Sequence, residues 1–146
     1  LLALELFAPR IVKAAMAHAQ PLRPLFVLIV EDEPLVRMSA VAMIEEAGFR
    51  TYEAANADEA IALLEKHADI RILFTDIDMP GSMDGLKLAH YVRGRWPPVK
   101  IIVTSGHVQV GRQDMPRDAT FFAKPYRAMQ ISGKLRELAI QAGSGQ

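Results

Sequence analysis

The chain has no cysteine. Disulfides and thiolate metal sites are excluded, and any metal must rest on carboxylate, carbonyl or imidazole donors. It has no charge excess either: 17 Lys and Arg balance 17 Asp and Glu, so the basic footprint of direct nucleic-acid binding is missing. No apolar run approaches the roughly 20 residues that span a bilayer. The apolar opening Leu1-Leu2-Ala3-Leu4-Glu5-Leu6-Phe7 is short, has no basic residue ahead of it, and does not read as a secretory signal. The expectation is a cytoplasmic protein with neither membrane nor nucleic acid as a direct partner. No internal repeat is visible.

What remains is ample for one packed domain. Apolar residues make up 51% of the 146, against 23% charged, a balance that argues against disorder. Residues 1–20 carry an apolar stripe, Leu2, Leu6, Ile11 and Ala15, interrupted by Pro9. The stripe reads equally as a helix packing on its own domain or as a contact between two copies in a homodimer. Pro21 and Pro24 mark a linker. The chain thus divides into a helical extension and linker over 1–24, a domain over 25–142 and a tail over 143–146.

From Leu25 strands and helices alternate. Leu25–Val30 is continuously apolar, as in a strand covered on both faces. Pro34 opens a helix that Gly48 stops. Arg50–Glu53 is a second strand. Asn56 and Glu59 form a capping-box pattern for a helix over Ala57–His67. Ile70–Thr75, Lys100–Thr104 and Thr120–Ala123 complete five strands. Helices over Asp84–Arg93, ended by Gly94 and the Pro97-Pro98 pair, and over Ala128–Gln141 complete the pattern. Gly106–Ala119 is a poor helix, and a loop with at most two turns is expected there. The alternation implies an α/β fold with a parallel sheet, whose ligands bind beyond the carboxyl ends of the strands.

The charged and hydroxyl residues fall at those ends. Val27-Leu28-Ile29-Val30 delivers Glu31-Asp32-Glu33, Ile72-Leu73-Phe74-Thr75 delivers Asp76, and Phe121-Phe122-Ala123 delivers Lys124. Ser105 closes the fourth strand. Taken singly, each has a plainer explanation: acids at a helix N-terminus, an Asp in a turn, a solvated lysine. Together they form an acidic cluster, a lone carboxylate and a cation, a set suited to a divalent cation and a phosphoryl group. Mg²⁺ commonly takes one or two carboxylates plus phosphate oxygens. A carboxylate attacking phosphorus is a known covalent strategy, and an amine with a metal can stabilise the transferring charge.

In this order and spacing, V-L-I-V-E-D-E, F-T-D-I-D-M-P-G-S-M-D-G-L, I-I-V-T-S-G-H and F-F-A-K-P resemble the receiver domain of two-component response regulators, over about residues 25–142. The resemblance implies a flavodoxin-like, doubly wound five-stranded parallel sheet of order 2-1-3-4-5, here with an extra N-terminal helix and a degenerate fourth helix. It implies Asp76 as phosphoacceptor, and Mg²⁺ (or Mn²⁺) held at Glu31, Asp32, Asp76 and the Asp78 carbonyl, with Asp32 the more direct ligand. It implies Ser105 and Lys124 as the hydroxyl and lysine that assist transfer, Ser105 and Phe121 as switch residues, and a cis Lys124–Pro125 bond. The donor would be a sensor histidine kinase or a histidine phosphotransfer protein, and the domain would be a signalling module rather than an enzyme.

Departures from the family pattern are Glu31 where Asp is common, one extra residue between Pro80 and Asp84 (Gly81 or Ser82), and a short Ser105–Lys124 segment. Thr104 adjoins Ser105, and strand alternation lets only one of them face the site; counting favours Ser105. Two other readings compete. Thr75-Asp76-Ile77-Asp78 mimics the D-x-D nucleophile pair of haloacid dehalogenase-type phosphohydrolases, although there the metal acids come last. A receiver-like, phosphorylation-independent binding module is the other. His18, His67, His90 and His107 show no ligand spacing.

Overall fold

The computed structural model describes residues 25–107 and 109–144. The stripe over 1–20, Pro9 and the Pro21–Pro24 linker lie outside them. Five strands, β1 (Phe26–Val30), β2 (Arg50–Ala54), β3 (Ile70–Asp76), β4 (Lys100–Ser105) and β5 (Ala119–Ala123), form one sheet in the order β2-β1-β3-β4-β5. All four pairings are parallel. The helices are α1 (Pro34–Glu46), α2 (Ala57–Lys66), α3 (Gly85–Arg95) and α4 (Ala128–Ser144).

The apolar runs explain the layering. Val27 and Ile29 pack with Ile44 of α1 and Ile131 and Leu135 of α4. Leu28 and Val30, one residue out of phase, pack on the other face with Leu64 of α2 and Leu88 of α3. A strand covered on both sides must be apolar at every position. Alternation then divides its side chains between two cores.

Most boundaries agree within two residues, and the differences have local causes. Asp84 caps α3 instead of belonging to it, accepting from the Lys87 amide at 2.9 Å. Gly94 does not end α3, which runs on through Arg95; one glycine costs a helix only about 1 kcal/mol. α1 stops at Glu46, and Gly48, at φ +100, makes the turn beyond it. α4 extends past Gln141 to Ser144. The capping side chains at α2 act as a pair: Asn56 accepts from the Glu59 amide, while Glu59 accepts from the Ala55 amide, one residue before the cap. Among the described residues between β4 and β5 the helix is reduced to a single 3-10 turn, Arg112–Asp114.

Candidate functional site

Backbone ladders continue one step beyond three strands. The Glu31 amide donates to the Ala54 carbonyl at 3.0 Å, Ile77 to Thr104 at 2.9 Å and Lys124 to Ser105 at 2.9 Å. These bonds fix where Glu31, Asp76 and Lys124 emerge at the carboxyl edge. The structure brings all three together, with Asp32, in one open cleft that Asp78 and His107 also line.

Lys124 Nζ lies 3.2 Å from Glu31 Oε1 and 3.3 Å from Asp76 Oδ1. Despite that approach, Asp76 Oδ1 is buried without a hydrogen-bond donor. Glu31 and Asp76 are each 5% exposed. Burial, followed by repulsion from Asp76, pushes the Glu31 carboxyl up to about 7, with Lys124 opposing. Burial also raises Asp76, as does Asp78, while Lys124 pulls it down. Burial alone would lower the Lys124 ammonium, but Asp76 and Glu31 outweigh it and hold it above its ordinary value.

Carboxylate oxygens of Glu31, Asp32 and Asp76 lie within 4.8 Å of one another. Two buried acids that resist ionisation, a third beside them and an oxygen without a donor fit a small, hard divalent cation. Glu31 already uses both oxygens, Oε1 toward Lys124 and Oε2 accepting from the Asp32 amide at 3.1 Å. Asp32 and Asp76 are the less committed donors.

Thr104 stands opposite Asp76 in register and beside it in a small cavity with Phe74 and Tyr126. Ser105 projects to the other face. Its hydroxyl donates to Asp78 Oδ2 at 3.0 Å and accepts from the His107 amide at 3.3 Å. Phe121 is half-buried and packs on the core cluster of Val103, its register neighbour. In the loop after Pro80, Gly81 has φ +113, and Ser82 Oγ donates to Asp58 of α2 at 2.8 Å. The Lys124–Pro125 bond is cis.

Two supporting residues escaped the sequence reading. At Gly85 a Cβ would overlap the Asp76 carbonyl, and the Gly85 amide donates to Ile77 at 3.0 Å. Only hydrogen fits where α3 approaches the β3 end. The Asp84-Gly85 pair was the available signal. Arg37 on α1 donates to the Glu31 carbonyl at 2.8 Å and pairs with Glu53 at 3.3 Å; nothing in its spacing announces this. His67 stacks on Tyr52, and His90 Nε2 holds the Asp114 carbonyl, so neither serves the cleft.

A family model described as the response regulator receiver domain matches residues 27–135. The chain is 30% identical over 119 residues to the response regulator receiver protein CpdR of Brucella abortus (strain 2308), covering 80% of this chain and 98% of that protein. It is 34% identical over 116 residues to the sensor kinase CckA of the same organism, covering 77% of this chain and 12% of the kinase. The chain thus spans a small part of that relative. A solved receiver protein from Sinorhizobium medicae WSM419 superposes with a TM-score of 0.76 at 23% identity, over 82% of this chain and 98% of that one, a likeness of fold.

Proposed function

The chain belongs to the response regulator receiver domain family, and from that premise we propose that Asp76 accepts a phosphoryl group from a phosphohistidine. The donor is a sensor histidine kinase or a histidine phosphotransfer protein, and the domain passes the change to a protein partner. A receiver of two-component systems is the reading that stands. The dehalogenase-type hydrolase and the phosphorylation-independent module do not.

In the transfer, an Asp76 carboxylate oxygen attacks phosphorus as the phosphorus–nitrogen bond of the donor breaks. The imidazole leaves with the bonding pair and takes a proton from solvent. Attack requires an ionised Asp76, and Lys124 at 3.3 Å favours that form. The same ammonium is placed to hold charge on the transferred phosphoryl oxygens. Asp32, Asp76 and the Asp78 carbonyl would hold Mg²⁺ (or Mn²⁺), with Glu31 acting through water. When bound, the cation supplies positive charge against the carboxylates and the phosphoryl group. Ser105 then donates to a phosphoryl oxygen, and Phe121 turns toward the space beside the sheet.

The observation that carries this reading is the convergence, from β1, β3 and β5, of two buried carboxylates on one lysine. The test is intact mass after treatment with acetyl phosphate and Mg²⁺. One base-labile phosphoryl group is expected, and none in Asp76→Asn. A shift that persists at the same rate in Asp76→Asn would reject the assignment.

A further inference from the structure

We infer that the Asp78 side chain is a resting-state latch on Ser105, holding the hydroxyl that a phosphoryl group on Asp76 must claim. This rests on the phosphoacceptor reading and adds a role for the Asp78 carboxylate, distinct from that of its backbone carbonyl.

Ser105 Oγ lies 3.0 Å from Asp78 Oδ2 across 27 residues of sequence. A hydroxyl carries one proton, so donation to Asp78 and donation to a phosphoryl oxygen exclude each other. The acceptor is a carboxylate, which makes the bond a charge-assisted one. The bond joins a strand end to a loop. Ser105 ends β4, is 2% exposed and is laddered to β5 through its carbonyl, whereas Asp78 lies in the loop after β3. Asp78 is also close enough to Asp76 to oppose its ionisation. An acyl phosphate on Asp76 carries about 1.5 to 2 negative charges at neutral pH where the ionised carboxylate carried one, so it repels the Asp78 carboxylate more strongly while offering Ser105 a stronger acceptor. Both effects move the hydroxyl the same way. The latch therefore sets how much of the phosphorylated population switches. Weakening it favours the switched state, and the backbone carbonyl is untouched by substitution at Asp78.

The experiment is a double-mutant cycle on the full chain with Asp78→Ala, Ser105→Ala and the pair, with Asp78→Asn as the conservative variant. The first readout is the amide resonance and hydrogen exchange of His107, whose N–H reaches Ser105 Oγ at 3.3 Å, in protein without phosphodonor. The second is the affinity for beryllofluoride with Mg²⁺, a phosphoryl mimic. Asp78→Ala is expected to shift the His107 amide and to tighten beryllofluoride by about threefold to tenfold, the net scale of one hydrogen bond. Asp78→Asn should fall between it and wild type. In the Ser105→Ala background the His107 effect should vanish and the beryllofluoride effect should shrink to what plain charge removal gives, because what acts through the latch needs the hydroxyl. Equal effects of Asp78→Ala with and without Ser105 would overturn the latch. An unmoved His107 amide would do the same. Coupling at His107 with no beryllofluoride uptake by any variant would overturn the phosphoacceptor reading, and the latch's role with it.

Discussion

The acidic end of the sheet and the segment between β4 and β5 are held by opposite means. Glu31 and Asp76 continue central strands whose apolar neighbours Val27, Leu28, Ile29 and Leu73 are fully buried, and backbone ladders fix them. The segment over 109–118 has one 3-10 turn, and α3 tethers it by side chains. His90 Nε2 donates to the Asp114 carbonyl at 2.8 Å. Arg93 Nε donates to Arg117 at 2.9 Å, and its Nη1 to Pro97 and Val99 at 2.8 and 3.0 Å. Val110 and Met115 pack on the core only in part. Charges that must keep their geometry are built on strands, while the piece expected to respond hangs on a few separable bonds. Segments of the second kind open at low free-energy cost.

Removing Arg93 tests that contrast most strongly. Arg93→Ala takes the charged donor from the Arg117 carbonyl, which should lower the local opening free energy of 109–118 by roughly 2 kcal/mol, the scale of one hydrogen bond to a charged group. Hydrogen exchange there should accelerate accordingly while Mg²⁺ affinity stays at wild type. Equal acceleration in β1 and β3 would mean that the two regions unfold as one. The reciprocal variant acts on the acids. Asp32→Ala should weaken Mg²⁺, followed by chemical-shift titration, by about tenfold, or ~1.4 kcal/mol, and leave exchange over 109–118 alone. Unchanged affinity would displace the metal site.

Phosphoryl-mimic binding should join the two regions. The largest changes in exchange are expected across 105–122, and Ser105→Ala should blunt them. Changes that ignore Ser105→Ala would break the proposed link.

Stability should also depend on pH. Glu31 titrates near 7 in the folded protein against an ordinary 4.5, so between those values the folded state binds more protons than the unfolded chain. Stability from this group is complete below about 4.5 and is lost as pH rises through about 7. Burial raises Asp76 in the same direction, with Lys124 offsetting part. Urea denaturation without metal should show stability declining from pH 5 to pH 8, and added Mg²⁺ should stabilise more at pH 8. A rising profile without metal would mean that Glu31 is stabilised, not strained, as an anion.

Sequence pattern was enough for the architecture because parallel strands buried on both faces leave an unbroken apolar signature. The acids and lysine were legible because each directly follows such a run. Helix ends were less so: Gly94 looks like a stop, yet α3 passes through it, since packing of Leu88, Ala89 and Val92 outweighs one weak propensity. Gly85 and Arg37 were missed because their partners, the carbonyls of Asp76 and Glu31, become neighbours only when α3 and α1 dock on the sheet.

The sequence by itself determined the order of strands and helices, the weakness of the helix between β4 and β5, and the gathering of charge at one sheet edge. Those properties depend on local periodicity and on a chain direction that parallel strands share. Only the tertiary structure decided which carboxylate Lys124 faces, how far burial resists the ionisation of Glu31 and Asp76, and that the Ser105 hydroxyl rests on Asp78. These depend on distances of about 3 Å between residues far apart in the chain, and on the dielectric created when the core closes around them.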